Sequence, residues 1–124
     1  MLSKYILLFF VGGSSYALLE AAWRGYTHWT MFVAGGICLI LLNAVSSLNM
    51  PMWGKAIVGG AVITAVELAV GGIVNMALGW NVWDYSTMPL NLWGQIWVGA
   101  SVGWIALSVP AMGLCTAMGR IIGW

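Results

Sequence analysis

The sequence predicts an all-α integral membrane protein, a compact four-helix transmembrane bundle with a long, kinked last helix. Its 124 residues include four Lys or Arg and three Asp or Glu, whereas about a quarter of the residues in a soluble domain are charged. Apolar residues instead form runs that reach the roughly 20 residues needed to cross a bilayer as a helix. The alternating ten-residue segments that are typical of a membrane β-barrel do not occur.

The apolar runs predict four spans within a single transmembrane domain, residues 1–124. We place the spans at about residues 4–23, 29–48, 56–78 and 92–112. The first run has the charge pattern of a secretory signal, but its apolar character continues past the candidate cleavage site near Glu20. We therefore expect it to remain in the protein as the first span.

The last apolar stretch, from Leu92 to Trp124, is too long for a single straight span. As one helix it would measure about 50 Å, against a hydrocarbon core of about 30 Å. Because proline breaks or kinks a helix, we predict a kink at Pro110 and an interfacial segment at residues 113–124. A re-entrant segment or a fifth short span is the alternative.

The basic residues predict the orientation of the bundle. Lys4, Lys55 and Arg120 fall on one side of the predicted spans, and Arg24 falls on the other. By the positive-inside rule, both termini are cytoplasmic and the protein is a multi-pass component of the cell inner (plasma) membrane. Because the bias is small, an antiparallel dimer of chains inserted both ways is a weaker alternative.

Glu67 is the most informative residue, because it lies near the middle of the third predicted span. A charged side chain at that depth costs about 2.5–3.5 kcal/mol on insertion scales. It must be protonated, paired, or directed at water or a polar partner. Glu67 therefore predicts a proton-linked or cation-linked site, and a structural carboxyl that bonds a neighbouring helix is the alternative.

The other acids and most of the polar side chains also belong to the predicted outer half. Glu20, Arg24 and His28 follow one another at intervals of four residues around the end of the first span, a spacing that allows Glu20 and Arg24 to pair. We predict one outward-opening polar pocket for binding or transport, formed by Glu67, Glu20, Arg24, His28, Asn75, Asp84, Tyr85, Asn91 and Gln95.

Other kinds of site find no support in the sequence. Cys38 and Cys115 have no partner spacing and His28 is the single histidine, so we expect neither a metal site nor a cofactor. A nucleotide-binding loop is absent, no catalytic residue can be assigned, and nothing resembles a basic patch for nucleic acid.

The segment between the third and fourth spans, "WNVWDYSTMPLN", is unusually rich in aromatic and polar residues. We expect it to form a lid over the polar pocket, with Trp80, Trp83 and Trp93 at headgroup depth. Asp84 is expected to meet Arg24 or the end of the first span, and Asn91 is expected to cap the fourth helix.

Two stretches together resemble a known family. They are "EAAWRGYTHWTMFVAGG" and "ELAVGGIVNMALGWNVWDYSTMPLNLWGQI", and they are similar to the bacterial membrane proteins grouped as ABC-transporter type IV permeases, CmpB-like. The resemblance rests on four signatures in order: an acid, "RG.THW.MF..GG", "E...G...N..LG" and "WDYS..P.N..GQI". By position it points to Glu20, Arg24, Gly25, Thr27, His28, Trp29, Glu67, Asn75, Trp83, Asp84, Tyr85, Ser86, Pro89, Asn91, Gly94 and Gln95.

The resemblance implies a transport role, an ATPase partner subunit in trans and a cytoplasmic coupling helix. We expect this chain to be a short version of the family, and its second loop, "NMPMWGK", is too short for an obvious coupling helix. Because four helices enclose little space, we also expect a homo-oligomer in the lipid bilayer.

Three classes of function therefore compete. The first is a small transport or channel component with a polar site around Glu67. The second is a holin-like or structural membrane protein of a phage or bacterium, and the third is a membrane-embedded enzyme acting on lipid or envelope. An enzyme is disfavoured, because no nucleophile–base pair can be identified.

Overall fold

Four α-helices account for most of the chain in the computed structural model, which describes residues 2–124. They are α1 (Leu2–Arg24), α2 (Trp29–Ser46), α3 (Met52–Gly71) and α4 (Val98–Ile122), and a π-helical stretch, Gly72–Ala77, continues α3. Each helix, α3 taken with its π-helical continuation, is long and apolar enough to cross a membrane. The predicted all-α, four-helix class is confirmed, and the molecule is a multi-pass membrane protein.

Glycines allow α1 and α2 to approach each other closely. A Cβ atom added at Gly12 would lie 2.6 Å from the Gly35 carbonyl oxygen, and one added at Gly36 would lie 2.7 Å from the Phe9 carbonyl oxygen. Helices in lipid associate through such small-residue contacts, because apolar side chains gain little by leaving apolar lipid. The glycine pairs of the sequence therefore set the spacing of this first helical hairpin.

A second close contact joins α3 to α4. A Cβ added at Gly59 would lie 2.8 Å from the Cβ of Ser108. Ser108 is fully buried, and its hydroxyl donates to the carbonyl oxygens of Ala56 at 3.1 Å and Ile105 at 2.7 Å. The polar atom of this buried serine is thus satisfied by backbone acceptors, one of them on the neighbouring helix.

Helix α2 holds the two hairpins together, because it contacts α1, α3 and α4. Leu39 of α2 packs with Leu8 of α1 and Cys115 of α4, and Leu42 packs with Ile63 of α3 and with α4. Large apolar residues remain exposed on the outer surface of the bundle, including Phe10 and Leu18. That distribution is expected of a bundle whose perimeter faces lipid.

Residues 78–97 form the α3–α4 connection, which folds on itself at one end of the bundle. The Tyr85 N–H donates to the Gly94 carbonyl at 2.7 Å, and the Leu92 N–H donates to the Ile96 carbonyl at 2.9 Å. Asn81, Leu90 and Trp93 adopt positive φ angles of 52°, 53° and 54°, a conformation that is uncommon for residues other than glycine. We call this end of the bundle, which also holds Arg24, the connection end.

Helix α4 differs from the predicted fourth span, residues 92–112, at both of its ends. Helix α4 begins at Val98, not near Leu92, and continues through Pro110 to Ile122. Residues 92–97 belong to the connection, and α4 has 25 residues, enough to cross the hydrocarbon core at about 1.5 Å per residue. Residues 113–122, which were predicted to form a separate interfacial segment, continue α4 as helix.

The third helix also differs from its predicted span, residues 56–78. Helix α3 begins at Met52, directly after its N-cap Pro51, rather than at Ala56. Gly99 and Gly103, which are four residues apart on α4, make no close helix contact within residues 2–124. A Cβ added at Gly103 meets nothing within 4 Å, and Gly99 lies against the Trp97 ring.

Candidate functional site

Glu67 lies inside the bundle on α3, with its carboxylate hydrogen-bonded to two different elements. The indole N–H of Trp104, on α4, donates to Oε1 at 3.2 Å. The hydroxyl of Tyr85, in the connection, donates to Oε2 at 3.3 Å. Glu67 is about ten residues, or about 15 Å of helix, from the end of the π-helical stretch at Ala77. Both donors are neutral side chains, so the carboxylate has hydrogen bonds but no opposite charge beside it.

Tyr85 is held as a proton donor by its surroundings. Burial, together with the neighbouring Glu67 carboxylate, raises the pKa of its phenol above the ordinary value. The hydroxyl therefore stays protonated over the physiological range and can donate to the carboxylate. Because Tyr85 belongs to the connection, this hydrogen bond fastens the connection to the middle of α3.

Side chains of α1 and α2 complete the surroundings of Glu67. Tyr16 lies close enough to Glu67 and Glu20 to interact with both electrostatically, and Cys38 of α2 is likewise near Glu67. The rings of Tyr16 and Trp104 are 5.8 Å apart, centroid to centroid. We call Tyr16, Glu67, Tyr85 and Trp104 the carboxylate cluster, to which α1, α3, α4 and the connection each contribute one residue.

A second group, the amide cluster, consists of Asn75, Trp83 and Gln95. The Asn75 side chain accepts from the Val82 N–H at 2.7 Å and donates to Gln95 Oε1 at 2.8 Å. The Trp83 indole donates to the Gln95 carbonyl at 2.9 Å. A Cβ added at Gly71 would lie 2.5 Å from Gln95 Oε1. Glycine at this position therefore lets the connection pack directly on α3.

The π-helical stretch explains why Asn75 organises the connection and does not join Glu67. A π-helical turn contains one more residue than an α-helical turn and changes the register of the residues that follow it. The stretch begins at Gly72, directly after Gly71 at the end of α3, and Asn75 lies within it. The predicted single pocket therefore divides into two groups, and Asn75 and Gln95 belong to the amide cluster.

Glu20 and Arg24 form the predicted ion pair at the end of α1. Arg24 Nη2 lies 3.0 Å from Glu20 Oε1, and Nη1 donates to the Val82 carbonyl at 3.3 Å. The guanidinium carbon lies 4.6 Å from the Tyr26 ring centroid, a cation–π distance. Arg24 therefore joins α1 to the connection, and its charge is engaged by Glu20.

His28 has a local structural role. It is the N-cap of α2, where its Nδ1 accepts from the Thr30 N–H at 3.2 Å and lies 2.7 Å from the Thr30 hydroxyl. Its ring also lies beside those of Trp29 and Trp80. The structure thus places His28 in a capping arrangement, apart from the contacts that Glu67 makes.

Asp84 and Asn91 differ from their predicted roles, because both stabilise turns inside the connection. Asp84 does not meet Arg24; it is exposed and accepts from the Ser86 N–H at 2.8 Å, a hydrogen bond that lowers the pKa of its carboxyl. Asn91 does not cap α4, whose N-cap is Trp97; its amide donates to Met88 and accepts from Gly94. Both polar side chains satisfy backbone groups that a tight connection would otherwise leave unpaired.

Trp83 also differs from the predicted interfacial role. It is buried with Met31 and Val74, whereas Trp80 and Trp93 are exposed. Two residues of the carboxylate cluster, Tyr16 and Trp104, were absent from the predicted site. Trp104 lies within an apolar run, where the sequence does not indicate the direction in which an indole N–H points.

Metal binding finds no basis in the part of the chain that the structure describes. Across residues 2–124, no three His, Cys, Asp or Glu side chains come together in a group that could hold a metal ion. The carboxylate cluster offers one carboxylate, two phenols and one indole, a set unlike the nitrogen, sulfur or multiple oxygen ligands of a metal centre.

Comparison with known protein families matches residues 7–121 to one family model, described as "Putative ABC-transporter type IV". The chain belongs to this family. The match includes every residue of the carboxylate and amide clusters and both ends of the α3–α4 connection. No curated protein and no solved structure shows a significant match to the chain.

Membership of the type IV family agrees with the resemblance that the sequence motifs indicate. The family description relates its members to transport, and the four apolar helices agree with a membrane location. Of the motif residues in the type IV chain described here, Arg24, Asn75 and Gln95 fasten the connection. Tyr85 bonds to Glu67, and His28 caps α2.

Proposed function

We propose that the protein is a transport or channel component of the cell inner membrane, in which Glu67 exchanges a proton or another monovalent cation at an outward-facing polar site. The proposal rests on one observation, that in the described part of the chain the Glu67 carboxylate has no cationic partner, whereas Glu20 has one. Glu67 is hydrogen-bonded by two neutral donors, and across residues 2–124 the ion pair that forms joins Arg24 to Glu20. An acid in a membrane span without a cationic partner is a usual feature of proton and cation pathways.

The other basic residues support this assignment, because they lie at the opposite end of the bundle. Lys55 donates to the Ser46 carbonyl at 2.8 Å, and Lys4 lies over the Trp124 ring at 5.5 Å. Arg120 lies in the last turn of α4. By the positive-inside rule this end is cytoplasmic, as are both termini, and the connection end faces outward.

The position of Glu67 fits a site reached from the connection end. About 15 Å of helix separates it from Ala77, roughly half of the hydrocarbon thickness. Tyr85 is the residue of the connection that reaches it, at 3.3 Å. Exchange at Glu67 would then require the connection to move Tyr85 away from Oε2.

We further propose that the working form is a homo-oligomer. Four helices surround the carboxylate cluster with little interior space of their own, so a continuous pathway would need surfaces from more than one chain. The family description also suggests an ATPase subunit acting in trans. Flux measured with and without ATP and that subunit separates an ATP-driven permease from a channel or ion-driven carrier.

Flux into proteoliposomes tests the proposal. The purified chain is reconstituted, a proton or monovalent-cation gradient is imposed, and dye signals report the flux. We expect Glu67→Gln to abolish it and Asp84→Asn to preserve it, because Asp84 is exposed and its hydrogen bond to Ser86 lies within the connection. Equal flux in wild type and Glu67→Gln would show that the acid has a structural role alone.

A further inference from the structure

The aromatic surroundings of Glu67 suggest which kind of cation it would take. The Tyr85 hydroxyl and the Trp104 indole N–H donate to the carboxylate, and Tyr16 of α1 packs against Trp104. The Tyr16 and Trp104 rings are 5.8 Å apart, and a fourth ring, that of Trp97, lies 6.5 Å from Tyr85. Aromatic groups attract organic cations through the negative potential of the ring faces, most strongly where water is excluded.

The charge of the carboxylate cluster is complementary to such a cation. Arg24 is paired with Glu20 and packs on Tyr26, and in the described part of the chain no basic side chain bonds to Glu67. Each carboxylate oxygen accepts one hydrogen bond in the structure and can accept another. A ligand carrying one positive charge would therefore neutralise an acid that its own protein leaves unpaired.

A metal cation fits this environment less well than an organic one. Hard metal ions are usually held by six or more oxygen ligands, or by fewer with bound water. Besides Glu67, the cluster offers the hydroxyl oxygens of Tyr16 and Tyr85, and these belong to side chains whose bulk is apolar ring. An ammonium group with alkyl or aryl substituents can form an ion pair with the carboxylate and place its apolar part against the rings.

We propose that Glu67, Tyr16, Tyr85 and Trp104 form a binding site for monovalent organic ammonium ions. This inference rests on the proposed exchange function of Glu67 and names its substrate class. The ammonium group binds at the Glu67 carboxylate, and the Tyr85 hydroxyl leaves Oε2 as the connection moves. No covalent bond changes, and the ligand competes with a proton for the same carboxylate.

Equilibrium binding to the full chain tests the inference independently of transport. Calorimetry of the protein in lipid nanodiscs would use benzyltriethylammonium as the probe, with sodium ions as the comparison. We expect saturable binding of the ammonium that Glu67→Gln weakens at least about tenfold, since the ion pair is lost. Trp104→Leu should weaken binding by about 2- to 30-fold, the range for a cation–π contact.

Matched variants separate the aromatic contribution from general damage to the fold. Trp104→Phe keeps a ring and should bind within about threefold of wild type, whereas Trp53→Leu changes an exposed tryptophan at the other end of α3 and should leave binding unaltered. The pH dependence of ammonium binding to the unmodified chain is a further readout. Lowering the pH should weaken binding, because protons then occupy the Glu67 carboxylate. Besides Glu67, the titratable groups of the cluster are Tyr16 and Tyr85. The titratable or charged groups that face it from outside are Glu20 and Arg24 of α1 and Cys38 of α2.

Two results would overturn the inference. The first is equal ammonium binding by wild type and Glu67→Gln; the second is tighter binding of sodium than of the ammonium probe. Glu67-dependent flux of protons or sodium, with no ammonium binding, would reject this substrate class and leave the proposed exchange function standing. Ammonium binding that depends on Glu67, in a chain without any flux, would support the site and reject the transport role.

Discussion

The indole nitrogen of Trp104 lies 3.2 Å from Glu67 Oε1, so that two helices separated by the α3–α4 connection are joined through a carboxylate. Gly60 and Ser108 lie further along the same helix pair, where the backbones approach closely. The close packing fixes the position of α4 against α3. The indole is thereby held where its N–H meets the acid.

Replacement of Trp104 by phenylalanine should destabilise the bundle. Phe keeps most of the ring volume but removes the N–H, so Glu67 Oε1 loses its donor inside the protein. Loss of one hydrogen bond to a charged or buried group costs about 1–3 kcal/mol. The free energy of unfolding, measured by detergent-induced denaturation in mixed micelles, should fall by that amount. Trp53→Phe is the control, because Trp53 is 72% exposed; an equal loss in both variants would contradict the assignment.

Alanine at Gly12 should weaken the first hairpin, whereas alanine at Gly103 should not. The added methyl at Gly12 would lie 2.6 Å from the Gly35 carbonyl oxygen, but the one at Gly103 meets nothing within 4 Å. Overpacking of this kind typically costs about 1–3 kcal/mol. Thermal unfolding of the two variants in the same detergent provides the comparison, and similar melting temperatures for both would mean that α1 and α2 do not pack as described.

Asn75 should control the order of the connection. Asn75→Leu removes the acceptor of the Val82 N–H and the donor to Gln95, so backbone groups of the connection would be left without partners. We expect hydrogen exchange of amides in residues 79–97 to accelerate, while amides in the middle of α2 keep their protection. The matched control is Asn49→Leu in the exposed α2–α3 loop. Unchanged exchange in the connection would show that Asn75 does not hold it.

Asp84 should contribute to the local order of the connection in a pH-dependent way. The Ser86 N–H lowers the pKa of this exposed carboxyl, so its contribution is present above the ordinary aspartate value of about 4. The contribution is lost as the pH falls through the lowered value. The protection factor of the Ser86 amide, which corrects for the intrinsic pH dependence of exchange, should therefore fall only in acid, and Asp84→Asn should remove that fall. A wild-type Ser86 exchange rate that follows the same pH profile as the variant would disprove the interaction.

The fold class could be predicted from the sequence, because backbone groups in lipid must bond within the same segment and long apolar runs then become helices. The start of α4 could not. Residues Leu92 to Trp97 are mostly as apolar as a helix, and the interactions that fold them into the connection come from Tyr85, Asn91 and Trp83. Apolar composition alone cannot distinguish a helical turn from a connection whose backbone N–H and C=O groups are hydrogen-bonded within the connection.

The candidate site could be predicted in part. Glu67 and the Glu20–Arg24 pair stand out, since charges are rare in membrane spans and a spacing of four residues places side chains on one helix face. Tyr16 and Trp104 did not stand out, because their contact with Glu67 depends on how α1 and α4 are rotated about their axes. That rotation is set by the glycine contacts between helices, whose partners cannot be read from a single sequence.

The most direct test of the account is chemical labelling of Glu67 in the intact, membrane-embedded chain. Dicyclohexylcarbodiimide modifies protonated carboxyl groups in apolar surroundings, and peptide mass spectrometry locates the modified residue. We expect Glu67 to be labelled in preference to the ion-paired Glu20, and we expect monovalent cations added from outside to reduce the labelling in a saturable way. Labelling of Glu67 that no cation changes at any pH, or complete protection of Glu67 under all conditions, would contradict the claim that it is an exchange site.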